Sequence, residues 1–194
     1  MTEALLELIG EFKRYALSSG ALEELAGDGE QGISLELKRK LGELAGIYAA
    51  YERATKPYLD ADDVLTLLKE RVGRSQLLRG ARVWIDGFHG FTPQELAVIR
   101  SLLEHCRQVT VTLCLDRPYE AGEQPDELDL FHPTASTMSR LLLLAREAGC
   151  GTDPVVELGS PAGARFRASP MLAHLERGFE GRLRWTPSDK ERGQ

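Results

Sequence analysis

Apolar side chains recur at Leu5, Leu8, Ile9, Phe12, Tyr15 and Ala16, the three-and-four spacing of an amphipathic helix within residues 2–26. Ser18-Ser19-Gly20 interrupts that pattern, and Ala21–Ala26 reads as a second short helix. Glycines at 27, 29 and 32 mark a loop. Ser34 then caps a predicted helix over 34–55, with Leu37, Leu41, Leu44, Ile47, Tyr48 and Tyr51 on one side. Lys56-Pro57 closes it, because proline disfavours helix in the residue before it. Asp60 or Asp62 opens a further helix through Val64, Leu65, Leu67, Leu68 and Val72, which Gly73 stops.

After Gly80 the period changes. Arg82–Asp86 reads as a short, mostly buried strand. Thr92-Pro93-Gln94-Glu95 has the form of a capping box with proline at the first helical position, and its helix runs through Leu96, Ile99, Leu102, Leu103 and Cys106. Val109–Leu115 alternates and is rich in β-branched residues, which predicts a strand. A strand, a helix of this length and a second strand imply a right-handed crossover between parallel neighbours. Asp116–His132 is a polar, proline-containing loop, of a length often found in functional or mobile segments. Thr134 or Ser136 caps the next helix, which ends at Gly149 and Gly151; Pro154–Leu158 has the look of a third strand; Ser169-Pro170 opens a last helix over 171–179.

The expected fold class is therefore α/β: a helical N-terminal part over 1–80, then a small parallel βαβ-type sheet flanked by helices over 81–180, then a polar tail over 181–194. A three-stranded sheet with both edges open is a poor independent domain, so the expectation is a piece of a larger protein.

Composition narrows the classes. The 194 residues are 42% hydrophobic and 28% charged, as in ordinary globular proteins, and no apolar run approaches the roughly 20 residues that cross a bilayer. Glu3 and Glu7 among the N-terminal leucines suit an amphipathic helix and not a secretory signal, so no membrane and a cytoplasmic location are expected. Cys106, Cys114 and Cys150 show no CxxC spacing, and the first two read as small buried thiols. The net charge of −6 has the wrong sign for an autonomous nucleic-acid binder, although residues 161–194 carry a local +3 that leaves −9 on residues 1–160.

Candidate chemistry gathers at one place. In open α/β sheets ligands bind beyond the carboxyl ends of the strands, and Asp86 and Asp116 each follow a predicted strand there. A carboxylate at that rim can hold magnesium, or simply cap its own turn. GxxxxGK[ST] is absent, and so is G-x-S-x-G; no small-molecule substrate is indicated. The four histidines lack ligand spacing, and His89 reads as a solvated loop residue. Asp60-Ala61-Asp62-Asp63 offers carboxylates for a metal, yet helix capping accounts for them better. Phe88 and Phe91 flank the turn after the first strand; they read as core side chains, with stacking on a base as the alternative.

The run Tyr58–Leu65, then Val83-Trp84-Ile85-Asp86-Gly87-Phe88, resembles a region of superfamily-1 helicases, P-loop NTPase-like proteins. Trp84–Phe88, Phe91–Glu95 and Val109–Asp116 are closer still to the B subunit of AddAB-type helicase–nucleases, as are Phe131–Thr134 and Ser169–Glu176. The resemblance covers about residues 1–180 and implies a fragment of the helicase-like N-terminal half. For the full-length family it implies DNA and the A subunit as partners, ATP, magnesium and an iron–sulfur cluster as cofactors, and a role in double-strand break repair and recombination. For this chain it implies no catalytic residue and no cofactor of its own. Asp86 matches the magnesium-binding Asp, while Gly87 stands where the general-base Glu of a working motor would be. The expected role is a degenerate, non-hydrolysing scaffold that engages DNA, with Lys38, Arg39, Lys40, Arg165 and Arg167 as candidate contacts on the strength of their charge. A nucleotide-binding domain completed by missing chain, and a helical protein–protein interaction module, are the alternatives.

Overall fold

The computed structural model describes residues 2–27, 32–58, 61–158, 166 and 168–178. Asp60, Arg165, Arg167 and the tail 181–194 lie outside the described residues. The chain packs as two compact units, one of Met1–Glu127 with Phe131–Thr152 and one of Leu128–Leu130 with Asp153–Gln194.

In the first unit, α1 (Thr2–Arg14), α2 (Ser19–Ala26) and α3 (Leu35–Thr55) form a helical group. The serines at the breaks act as caps: Ser18 accepts from the Ala21 amide at 3.1 Å and Ser34 from the Leu37 amide at 3.2 Å. Ile9, Leu22, Ala45 and Tyr48 are buried together, with Phe12, Leu41 and Tyr51 packed around them. Leu37 and Ile47, expected on the same apolar face, are exposed.

A 3-10 turn at Ala61–Asp63 leads into α4 (Val64–Val72). The acidic cluster was expected to cap this helix, and its side chains do something else. Asp63 makes no side-chain cap bond; its carboxylate accepts from Lys13 at 2.9 Å, and Asp62 accepts from Arg14 at 3.3 Å. Two cations in the last turn of α1 thus claim these two carboxylates.

β1 (Arg82–Ile85), α5 (Pro93–His105) and β2 (Gln108–Val111) form the anticipated unit, with the strands parallel and Val83 opposite Val109. α5 packs along α4; Leu96, Val98 and Ile99 of α5 are buried, and Val72 of α4 is almost wholly enclosed. Two buried polar residues, seven positions and hence two turns apart, tie the helices together. The Gln94 amide donates to the Asp62 carbonyl at 2.7 Å and to the Thr66 hydroxyl at 2.9 Å, and the Ser101 hydroxyl donates to the Lys69 carbonyl at 3.1 Å.

Three expectations for this region need correction. β2 ends at Val111, because β1 is only four residues long and the Thr112 amide, bonded to the Ile85 carbonyl at 3.0 Å, makes the last rung. β1 is half open: Trp84 is 65% exposed, while Val83 and Ile85 are sheltered. Cys114 is exposed and Cys106 half-buried, because the alternation that shelters Leu113 and Leu115 turns Cys114 outward.

The segment after β2 is folded on itself. Tyr119 is buried with Ala135 and Met138 of α6 (His132–Glu147), against Leu113, Leu115 and Leu142. α6 starts two residues before Thr134, with Phe131 at its N-cap and no side-chain cap. Thr134 instead donates back to the Phe131 carbonyl at 3.1 Å. In the second unit, Pro154–Leu158 is not a strand: Val155, Val156 and Leu158 are exposed, and the sheet has two strands among the described residues. α7 (Pro170–Gly178) is that unit's helix.

No helix among the described residues is long and apolar enough to cross a membrane.

Candidate functional site

The rim at the carboxyl end of β1 is built by a turn that only glycine makes without strain. Gly87 adopts φ +81°, in the left-handed region. The turn presents Asp86, Phe88 and His89 to solvent before the chain enters α5 at Thr92. Phe88 is 44% exposed, and its ring stacks on the half-buried Phe91 with centroids 5.2 Å apart and planes 27° apart. Neither ring lies in the core, contrary to the sequence expectation.

Hydroxyl groups hold the turn. Thr112 donates to the Asp86 carboxylate from the neighbouring strand end. Thr137 of α6 donates to the His89 carbonyl at 3.0 Å and to the Pro133 carbonyl at 2.8 Å. Thr92 and Glu95 complete the capping box: the Glu95 carboxylate accepts from the Thr92 amide at 2.7 Å, and the Thr92 hydroxyl from the Glu95 amide at 3.3 Å. The start of α5 is thereby closed to an anion. Pro93 has no amide hydrogen, and the Glu95 carboxylate already sits on the positive end of the helix dipole.

No GxxxxGK[ST] loop and no general base accompany Asp86 at this rim. Asp86 stands with one oxygen engaged by Thr112, and no group of three or more metal-ligating side chains occurs among the described residues. Gly87 supplies no base. The cysteines do not fit an iron–sulfur cluster either: they form no such group, and the Cys150 thiol contacts the Leu103 carbonyl at 3.5 Å. Burial pushes the Cys106 thiol pKa up, which opposes the thiolate that a cluster needs.

Asp116 lies five residues past the end of β2 and accepts from the Tyr119 hydroxyl at 3.1 Å. Beside it, Arg117 lies over the Tyr119 ring at 3.9 Å and pairs with Glu123 at 2.6 Å. That hydrogen bond, with a second from the Glu120 amide, holds the Glu123 carboxyl below its usual range. The basic candidates stand elsewhere. Lys38, Arg39 and Lys40 lie in the first two turns of α3, where Arg39 pairs with Glu43 at 3.5 Å and Lys40 with Glu36 at 2.9 Å. A groove of about 410 Å³ between α5 and α6 is lined by Pro93, Leu96, Arg100, Arg140 and Leu143. It offers no grouped nucleophile or metal ligands.

Sequence reasoning takes Phe88 and Phe91 as core side chains with base stacking as the alternative, and the structure leaves Phe88 exposed and stacked on Phe91 as an aromatic shelf.

Residues 1–176 match the family described as ADDB, N-terminal. The chain is 46% identical over 180 residues to the B subunit of the ATP-dependent helicase/deoxyribonuclease of Desulforudis audaxviator (strain MP104C), covering 90% of this chain and 15% of that protein. The proteins of the same name in Moorella thermoacetica and Geobacillus thermodenitrificans are 45% and 44% identical, over 91% and 93% of this chain and 16% of each relative. The chain thus spans 15–16% of the length of these curated relatives.

Proposed function

The chain belongs to the ADDB, N-terminal family, and from that premise we propose that it is a non-hydrolysing, DNA-engaging part of a helicase–nuclease B subunit. The whole protein would act with an A subunit on broken DNA ends in repair and recombination. The observation that carries the reading is the exposed Phe88 stacked on the half-buried Phe91, on a turn fixed at the strand rim. Aromatic platforms take bases of a single strand by stacking, which every base permits. The same rim lacks what hydrolysis requires, since Gly87 offers no base and the α5 start is self-capped. Asp86 then serves the turn through Thr112, and its ancestral metal role is the part to be tested. Arg39 and Lys40 already hold glutamate partners within α3, so stacking and not their charge is the principal contact.

The test is single-stranded oligonucleotide binding by the full-length protein in its complex, with Phe88→Ala and Phe91→Ala, across a salt series. Loss of one stacked base should weaken binding by about 1–3 kcal/mol, roughly five- to 150-fold. The salt slope should be unchanged, because no phosphate contact is removed. Unaltered affinity in the double variant would sink the reading. Asp86→Asn should leave the nucleotide hydrolysis of the complex unchanged.

A further inference from the structure

The amino ends of the two strands form a pole opposite the rim. α4 and α5 run side by side in the same direction, since Gln94 bonds to Asp62 and Thr66 and Ser101 bonds to Lys69, and both helices end at this pole. There Gly73 meets the His105 ring so closely that a Cβ on Gly73 would stand 2.6 Å from His105 Nε2. The chain then runs to β1 in short turns. The Arg74 amide donates to the Arg71 carbonyl at 3.0 Å, the Arg79 amide to Ser75 at 3.2 Å and the Ala81 amide to Leu78 at 3.0 Å. The Ala81 carbonyl accepts from the Arg107 amide at 2.9 Å, and Arg82 sits opposite Gln108.

This backbone gathers Arg71, Arg74, Arg79, Arg82 and Arg107, all exposed. From Arg71 to Ile85 the chain holds four arginines and no carboxylate, although its net charge is −6. Lys13, Arg14, Arg39, Lys40, Arg100 and Arg117 each hold a carboxylate; the five arginines of the pole have no ion-pair partner among the described residues. The helix dipoles account for Arg71 and Arg107, at the negative ends of α4 and α5. They do not account for Arg79 and Arg82, which lie beyond the last turn of either helix. Like charges held together repel one another, so the pole is set to receive a counter-charge from outside it.

We propose that this pole is a contact for the phosphate backbone of duplex DNA, separate from the aromatic shelf. The proposal rests on the reading of this chain as a DNA-engaging part of a B subunit. All five cations are guanidinium forks, which match phosphate oxygens two at a time. Residues 71–82 hold no aromatic side chain, so the pole can grip a backbone but offers unpaired bases no platform. An acidic protein surface fits less well. Protein interfaces centre on an apolar core depleted of charge, and within 71–82 Leu77 is the one large apolar side chain left exposed. Interfaces with DNA are polar and strongly positive. Arg82 and Asp86 mark the two ends of the strand, about 13 Å apart by the rise of an extended chain. That exceeds the Debye length of about 8 Å at physiological salt, so pole and shelf act as independent contacts.

The test is binding of a duplex and of a single-stranded oligonucleotide by the full-length B subunit in its complex, without magnesium or nucleotide, from about 50 to 200 mM salt. In the triple variant Arg74→Gln, Arg79→Gln, Arg82→Gln, the slope of log affinity against log salt for the duplex should fall by about 0.9 per arginine, about 2.7 in all. A fourfold rise in salt would then cost the variant about fortyfold less affinity than the wild type. Single-strand binding should keep its slope. Lysine at the same three positions keeps the charge and should keep the duplex slope; a loss there marks a structural effect and overturns the proposal. Arg100→Gln, whose cation already has glutamate partners, should also leave the slope unchanged. An unaltered duplex slope in the glutamine variant overturns the proposal, and lost association with the A subunit in that variant would assign the pole to a protein instead. A loss confined to the single strand overturns it equally. If Phe88→Ala is silent while the duplex slope falls, the stacking reading fails and this one stands.

Discussion

Replacing Gly87 isolates the backbone from every other influence at the rim. A Cβ built at Gly87 meets nothing within 4 Å, so no steric contact contributes. What remains is the φ of +81°, which costs a residue with a Cβ about 1–2 kcal/mol. Alanine also stiffens the unfolded chain, which offsets about 0.4–1 kcal/mol. Gly87→Ala should therefore destabilise by about 1 kcal/mol, or about 2–4 °C in Tm for a chain of this size. Gly87→Asn should recover most of that loss, since asparagine tolerates the left-handed region. The assay is urea and thermal unfolding of the chain followed by circular dichroism. Gly87→Glu, which restores the side chain of a working motor, should lose at least as much as Gly87→Ala and gain no hydrolysis. The turn would have to leave its left-handed conformation before the carboxylate could be positioned as a base. Equal stability of Gly87→Ala and wild type refutes the reasoning, and so does magnesium-dependent ATP hydrolysis gained by Gly87→Glu.

Gln94→Ala should destabilise by about 1–3 kcal/mol in the same unfolding assay, because it strands the Asp62 carbonyl and the Thr66 hydroxyl at the α4–α5 contact. Tyr48 has its pKa pushed up to about 12, first by burial and then by the nearby Glu52. The unfolded tyrosine ionises near pH 10, so the folded state holds the proton longer, and stability present below pH 10 is lost as pH rises from about 10 to 12. Tyr48→Phe should flatten that stretch of the stability–pH curve; an unchanged slope would refute the assignment.

Much of the fold was legible because its signals are local. The Thr92 capping box with Pro93, the serine cap at 34, and the parallel pairing across α5 follow from spacing and side-chain chemistry. What escaped depends on partners distant in sequence. Pro154–Leu158 has a strand's composition, but a strand exists only where another chain segment offers its edge, and none does here among the described residues. Thr134 and Ser136 are capping types, yet inside the first turn of α6 Thr134 bonds back to a carbonyl and the Ser136 hydroxyl lies 3.5 Å from His132 Nε2. The acidic run at 62–63 was read by its own chain position, whereas Lys13 and Arg14, nearly fifty residues earlier, decide its role. At the site, Asp86 was recognised for its place after a strand. For Phe88 and Phe91 beside it the sequence left core and stacking as alternatives, because exposure is a property of packing that adjacent residues alone do not set.

Two threonines, Thr112 and Thr137, come from two other stretches of chain and grip one six-residue turn. A recognition loop usually surrenders much of its freedom at the moment it binds, and that loss is subtracted from the affinity. Here the ordering was completed when the chain folded. The shelf should meet its ligand already in its final shape, so that a modest stacking energy is retained almost whole.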